Sequence, residues 1–124
     1  MISNTLIWKI GMNIRKGQIF LAALDPAVGS EIQKTRPVII VSNNINNKYN
    51  SVVTIVPITS NVTKIFPFEV FIKKGIAGLP KDSKGKADQI RTLDITRLIK
   101  ELGTLPVDIV AQLDAAIKIH LALD

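Results

Sequence analysis

Apolar side chains come in short clusters over the first hundred or so positions and then settle into a helical period. Residues 18–24 (QIFLAAL), opened by Gly17 and closed by Asp25-Pro26, read as a β-strand. Residues 37–42 (PVIIVS) form an unbroken β-branched run, the mark of a strand covered on both faces. Residues 43–50 hold five asparagines and are expected to be a loop. Residues 51–58 (SVVTIVPI) give the next strand; Pro57 inside it points to an edge position or a bulge, because proline cannot donate to the ladder. From 66 to 72, Phe66, Phe68, Val70 and Ile72 alternate with Pro67, Glu69 and Phe71. Residues 73–86, with Gly75, Gly78, Pro80 and Gly85, read as a long mobile loop, residues 87–91 as a return to the sheet, and residues 99–105 as a last short strand.

Beyond residue 105 the period changes. Thr104 is placed to cap a helix, Pro106 suits its first turn, and Asp108 lies near the positive end of its dipole. Ile109, Val110, Leu113, Ala116, Ile117 and Leu121 then recur at helical spacing. The whole is mainly β with a C-terminal α-helix: five or six short strands, arranged as a small, strongly bent antiparallel barrel with the helix packed on it.

At 124 residues the chain is one domain able to bury a real core, with 47% hydrophobic residues and no repeat or low-complexity tract. It has no cysteine, which excludes disulfides, thiol catalysis and thiolate metal sites and fits a reducing compartment. The apolar stretch Leu6, Ile7, Trp8, Ile10 is too short to span a membrane, and Arg15 and Lys16 follow where a signal peptide would carry a cleavage site. A cytoplasmic protein without a membrane partner is expected. Net charge is +6, unevenly spread: fifteen Lys/Arg against seven Asp/Glu up to residue 105, then one Lys against three Asp. A basic body suits an anionic partner such as nucleic acid, and equally a solvated basic surface.

The segment from Asp25 to Asn43 concentrates the candidate chemistry. A polar loop carrying Gly29 leads to a single arginine, Arg36, fixed by Pro37 at the mouth of a buried strand. A guanidinium fork matches two phosphate oxygens and stays charged at physiological pH. The only histidine, His120, sits near the end of the helix between Ile117 and Leu121 and reads as a packing or surface residue. Glu31 and Asp88 lack metal-ligand spacing, so neither a metal nor another cofactor is expected. Lys73, Lys74, Lys81, Lys84 and Lys86 read as a solvated loop rather than a specific site.

Five ordered blocks resemble the MazF/PemK (Kid) family of toxin endoribonucleases: KGQIF at 16–20, the segment 25–43, VPITS at 56–60, PFEV at 67–70 and ADQIRTLD at 87–94. The resemblance covers roughly residues 14 to 122, leaving residues 1–13 as an extension of unknown role, with Met12 a candidate native start. It implies an SH3-like antiparallel β-barrel of the CcdB/PemK kind and metal-independent, sequence-specific cleavage of single-stranded RNA. It also implies a homodimer and a cognate antitoxin through which operator DNA is met only indirectly. It places Arg36 and Thr59 at the catalytic positions. Ser30, Glu31, Lys34, Asn43, Gln89 and Arg91 fall in the RNA-binding groove. The family usually shows Glu-Gln-Gly or Glu-Gln-Ala after the Gly-Ser; here Ile32 and Gln33 follow Glu31, which stiffens the loop and brings an apolar side chain toward the groove. Two other readings share the architecture: a CcdB-type barrel that poisons DNA gyrase by binding, which would not need Arg36 and Thr59, and an inactive barrel that binds antitoxin and operator.

Overall fold

The computed structural model describes residues 13–32 and 34–124. The expectations for residues 1–12, among them the Leu6-Ile7-Trp8 patch and Met12, and for Gln33 lie outside the described residues.

Among the described residues, seven strands and two α-helices follow one another: β1 (Gln18–Ala23), β2 (Thr35–Ile40), α1 (Asn44–Tyr49), β3 (Val52–Thr59), β4 (Glu69–Ile72), β5 (Ser83–Lys86), β6 (Arg91–Asp94), β7 (Leu98–Thr104) and α2 (Val107–Leu121). Every pairing is antiparallel. The sheet runs β4-β5-β3-β2-β1-β7, with β6 on β3. Strands β1 to β3 are apolar on both faces, as the β-branched runs require. Ile19, Ile39, Val56 and Ile58 join Ile109, Leu113 and Ala116 of α2 in one core cluster. Phe20, Ala22, Val38, Ile40, Val53 and Ile55 join Leu93, Ile95 and Leu98 in a second.

Among the described residues the barrel does not close by hydrogen bonds: β4 and β7 end the path. The two ends meet instead by backbone contact. The 3-10 turn Ile76–Gly78 lies against β7 so tightly that a Cβ at Gly78 would stand 2.3 Å from the Leu102 carbonyl oxygen, and one at Gly103 2.6 Å from the Ala77 carbonyl. Glycine at these two places is what lets the ends approach.

Several local expectations are corrected. Residues 43–50 are not all loop, because α1 occupies Asn44–Tyr49. The asparagines themselves support it. Asn43 Oδ1 caps the Asn46 N–H at 2.8 Å, and buried Asn47 accepts from Ser42 Oγ at 2.5 Å and donates to Ser42 O at 2.9 Å. Tertiary hydrogen bonds outweigh weak helix propensity here. Pro57 is not on an edge strand: it opposes Val38 of β2, and on its other side β3 passes from β6 (up to Ile55) to β5 (from Ile58). The interruption in that second ladder makes room for it. Residues 73–86 are not one mobile loop, since Ser83–Lys86 forms β5 between β3 and β4. The return after it begins with a 3-10 turn, Ala87–Gln89, before β6. The alternation at 66–72 becomes a strand only from Glu69, with Phe66 left 40% exposed. Thr104 ends β7 rather than capping α2; Pro106 holds the cap position, and no side chain bonds there.

Candidate active site

Arg36 and Thr59 come from adjacent strands. Arg36 opposes Ala22 on β1, and β2 pairs with β3 so that Val38 opposes Pro57. The paired residues end at Val38 and Pro57, and the same register carried two residues further would set Arg36 opposite Thr59. Opposed residues of an antiparallel pair share a face, with Cβ atoms roughly 5 Å apart. On this face Val38, Ile40, Val53 and Ile55 fill the second core cluster, and toward the strand ends it turns polar at half-buried Arg36 and Thr59. An arginine and a hydroxyl thus lie on adjoining strand ends at the mouth of an apolar core. A phosphate oxygen placed there would meet donors in a site only partly open to water. Thr59 Oγ1 accepts from the Asn61 N–H at 3.3 Å, which leaves the hydroxyl proton to donate.

The loop between β1 and β2 borders the pair. Leu24 N donates to Lys34 O and Lys34 N to Asp25 Oδ1, each at 2.9 Å, so the loop's feet are tied together. Gly29 (φ 57°) and Lys34 (φ 72°) take left-handed backbone. Glu31 folds back on its own turn, its Oε1 accepting from Val28 N at 2.8 Å. Gln89, on the 3-10 turn before β6, accepts from Ile32 N through Oε1 at 3.3 Å. Arg91 donates to Leu24 O at 3.4 Å; Arg97 donates to Ala23 O at 3.2 Å and to Asp25 O. Gln89 and Arg91 therefore fasten the loop that carries exposed Ser30, Glu31 and Lys34. Ile32 packs in part against the second core cluster, so this branched side chain serves the core as well as the rim.

Asn43 stands apart. It follows the opposite end of β2, seven positions from Arg36 and roughly 20 Å away at strand spacing. There it caps α1 and lines a groove of about 610 Å³ with Lys16, Ser42, Asn46, Asp114 and Lys118. Arg36 follows the β1–β2 loop that Gln89 and Arg91 fasten, and Thr59 ends the neighbouring strand, whereas Asn43 lies beyond the other end of β2.

A buried ionic cluster beside Thr59 was not anticipated. Lys84 opposes Thr59 on β5. Its ammonium donates to Glu69 Oε1 at 3.1 Å and to Lys64 O at 2.6 Å, and Lys86 reaches Glu69 Oε2 at 2.9 Å. The Glu69 side chain has no exposure. Burial pushes its carboxyl upward, but the Phe66 N–H and the two ammonium groups outweigh this and hold it below the usual carboxylate range. These two lysines are structural, not members of a solvated loop. The period-two alternation of Ser83-Lys84-Gly85-Lys86 was the available signal. His120 stands beside Phe68, with ring centroids 6.2 Å apart. Among the described residues no group of three or more His, Cys, Asp or Glu is placed to hold a metal ion, and no helix is long and apolar enough to cross a membrane.

The profile of the family described as PemK-like, MazF-like toxin of type II toxin-antitoxin system matches residues 15–121. The chain belongs to this family. It is 41% identical over 115 residues to endoribonuclease MazF9 of Mycobacterium tuberculosis, covering 89% of this chain and 98% of that protein. Among solved structures it resembles the M. tuberculosis toxin MazF-mt6, with a TM-score of 0.74 and 27% identity over 86% of this chain and 98% of that one. The fold is also that of MazF from Deinococcus radiodurans, with a TM-score of 0.78 and 23% identity over 89% and 97% of the two chains. A mycobacterial endoribonuclease solved in complex with its cognate antitoxin has a TM-score of 0.75, at 24% identity over 90% and 97%. The PemK/MazF fold thus accounts for the open, helix-backed sheet found here.

Proposed function

We propose that this protein is the toxin of a toxin–antitoxin pair: a cytoplasmic, homodimeric endoribonuclease that cuts single-stranded RNA at specific sequences. The observation that supports the reading is that Arg36 and Thr59 are half-buried on the adjoining ends of the paired strands β2 and β3. In this reading the 2′-oxygen of the RNA attacks the adjacent phosphorus and the P–O5′ bond breaks. The 2′ proton is lost, the 5′ oxygen gains one, and the products are a 2′,3′-cyclic phosphate and a 5′-hydroxyl. The Arg36 guanidinium spans two phosphoryl oxygens as charge builds on them, and the Thr59 hydroxyl donates to a third acceptor. No metal is needed to generate the nucleophile. Ser30, Glu31 and Lys34 on the loop, with Gln89 and Arg91 behind it, form the wall that meets bases and backbone. Asn43 is too far away to contact the same nucleotide. The antitoxin, an acidic or extended segment, covers this basic mouth, and operator DNA is reached only through it.

The test is cleavage of single-stranded RNA by the purified protein in EDTA. A 2′-deoxy substitution at the scissile nucleotide should leave binding intact and abolish cutting, and binding should weaken as salt rises. A 5′-phosphate product, or cleavage of the deoxy substrate, overturns the mechanism. Gyrase inhibition without RNA cleavage would instead support the CcdB-type reading.

A further inference from the structure

The segment between β3 and β4 is an arch tied at three places. At its start the Asn61 N–H bonds Thr59 Oγ1 at 3.3 Å. At its end Phe66 N donates to Glu69 Oε1 and Glu69 N to Phe66 O, both at 2.9 Å. At mid-span the Lys64 carbonyl accepts from the buried Lys84 ammonium at 2.6 Å. Between the mid-span tie and Thr59, the Thr63 N–H bonds Asn61 Oδ1 at 3.3 Å. A chain of hydrogen bonds therefore runs from a buried ion pair, through two turns of an otherwise exposed loop, to the hydroxyl that the proposed reaction uses.

An exposed polar loop of this length would not by itself hold a threonine in one orientation. The Asn61 and Thr63 bonds are long and lie at the surface, where water competes for them. The Lys84 tie is better shielded: the bond is part-buried, the Lys84 side chain is 9% exposed, and its ion-pair partner Glu69 is fully enclosed. A charge-assisted bond that water reaches only in part is the strong member of the chain. Lys84 also opposes Thr59 on the neighbouring strand, so the anchor sits directly beside the group whose orientation it governs.

We propose that Lys84 is a positioning residue for cleavage. By pinning the Lys64 carbonyl it sets the arch over residues 60–65. The arch in turn presents Asn61 N–H to Thr59 Oγ1, fixing the lone pair inward and the hydroxyl proton outward to the phosphate. Lys84 itself does not touch RNA. The inference rests on the ribonuclease reading above, and within it adds a residue that acts through Thr59.

A double-mutant cycle decides it. Cut sites are first mapped on a long single-stranded RNA. Full-length wild type, Lys84→Met, Thr59→Ala and the double variant are then compared on an oligoribonucleotide carrying the preferred site. Lys84→Met is expected to lower kcat about 10- to 100-fold, as small misplacements do, with KM within about twofold. In the Thr59→Ala background the same change is expected to cost less than about threefold. Should Lys84→Met fail to fold, Lys84→Arg keeps the charge beside Glu69 but replaces the single ammonium with a longer planar group. It enters the same cycle with a smaller expected loss, again absent in the Thr59→Ala background. Losses that multiply across the cycle, an unchanged kcat, or a rise in KM alone would overturn the positioning role while leaving ribonuclease function intact. A wild-type protein that cuts no RNA, or a Thr59→Ala protein that cuts at the wild-type rate, removes the ribonuclease reading first, and this inference with it.

Discussion

Replacing Glu69 with glutamine tests how much of the fold hangs on its buried cluster. The carboxylate accepts from Phe66 N at 2.9 Å, Lys84 Nζ at 3.1 Å and Lys86 Nζ at 2.9 Å, with none of its side chain exposed. Glutamine keeps the length and one acceptor oxygen, so the Phe66 bond survives. Its amide nitrogen, however, faces an ammonium, and Lys84 is left charged in a dry place. Removing one partner of a buried pair costs about 3–5 kcal/mol. Lys86 is 23% exposed and able to turn toward water, which discounts its share. A net loss of about 2–4 kcal/mol follows. For a domain of this size it lowers Tm by roughly 10 °C. The pH dependence has a definite sign. The carboxyl is held below its ordinary value in the folded protein. Its contribution is therefore complete above the unfolded value, about pH 4.3, and is lost as pH falls through the folded one. Thermal melts followed by circular dichroism from pH 7 to pH 3.5 should show a wide gap between wild type and Glu69→Gln that narrows below about pH 4.3. A gap of under about 3 °C at pH 7, or one that widens in acid, refutes the account.

Arg36→Lys and Thr59→Ala should each lower RNA cleavage by about 10²-fold or more, with Tm close to wild type; a lysine variant cutting at full rate would show that the guanidinium fork is not used. Asn43→Ala should cost about 1 kcal/mol in a urea melt, the worth of a helix cap, and spare cleavage. A selective loss of RNA binding would place this residue in the groove after all. Gly103→Ala drives a Cβ to 2.6 Å from the Ala77 carbonyl carbon and oxygen, and should lower Tm sharply where the two sheet ends meet.

The strands most readable in the chain were those with an apolar run on both faces: residues 18–24 and 37–42 need no partner information to announce themselves. The C-terminal helix was equally plain from its period, though its cap was misread because Thr104 is taken by pairing with Gln18. What escaped were elements whose hydrogen bonds come from elsewhere in the fold. Helix α1 depends on Asn47 bonding Ser42, and β5 looks like a glycine- and lysine-rich loop until Glu69 arrives to neutralise it. At the site, Arg36 was legible from its strand-mouth position, and Thr59 from family resemblance. That they lie on adjoining strand ends required the β2–β3 register, and the distance of Asn43 required the direction of β2. Neither is written in local sequence.

Strand β1 binds β7, and the cluster that holds Ile19 and Ile39 is filled by Ile109, Leu113 and Ala116. The first strand of the sheet finds β2 early, but its second neighbour and the helix that covers one of its faces come only from the C-terminal part of the sequence. A ribosome making this protein carries a chain that lacks one wall of its core until α2 has emerged. The face that β1 and β2 turn toward α2 stays open to water until the helix arrives, so it is the helix, not the sheet, that completes the first core.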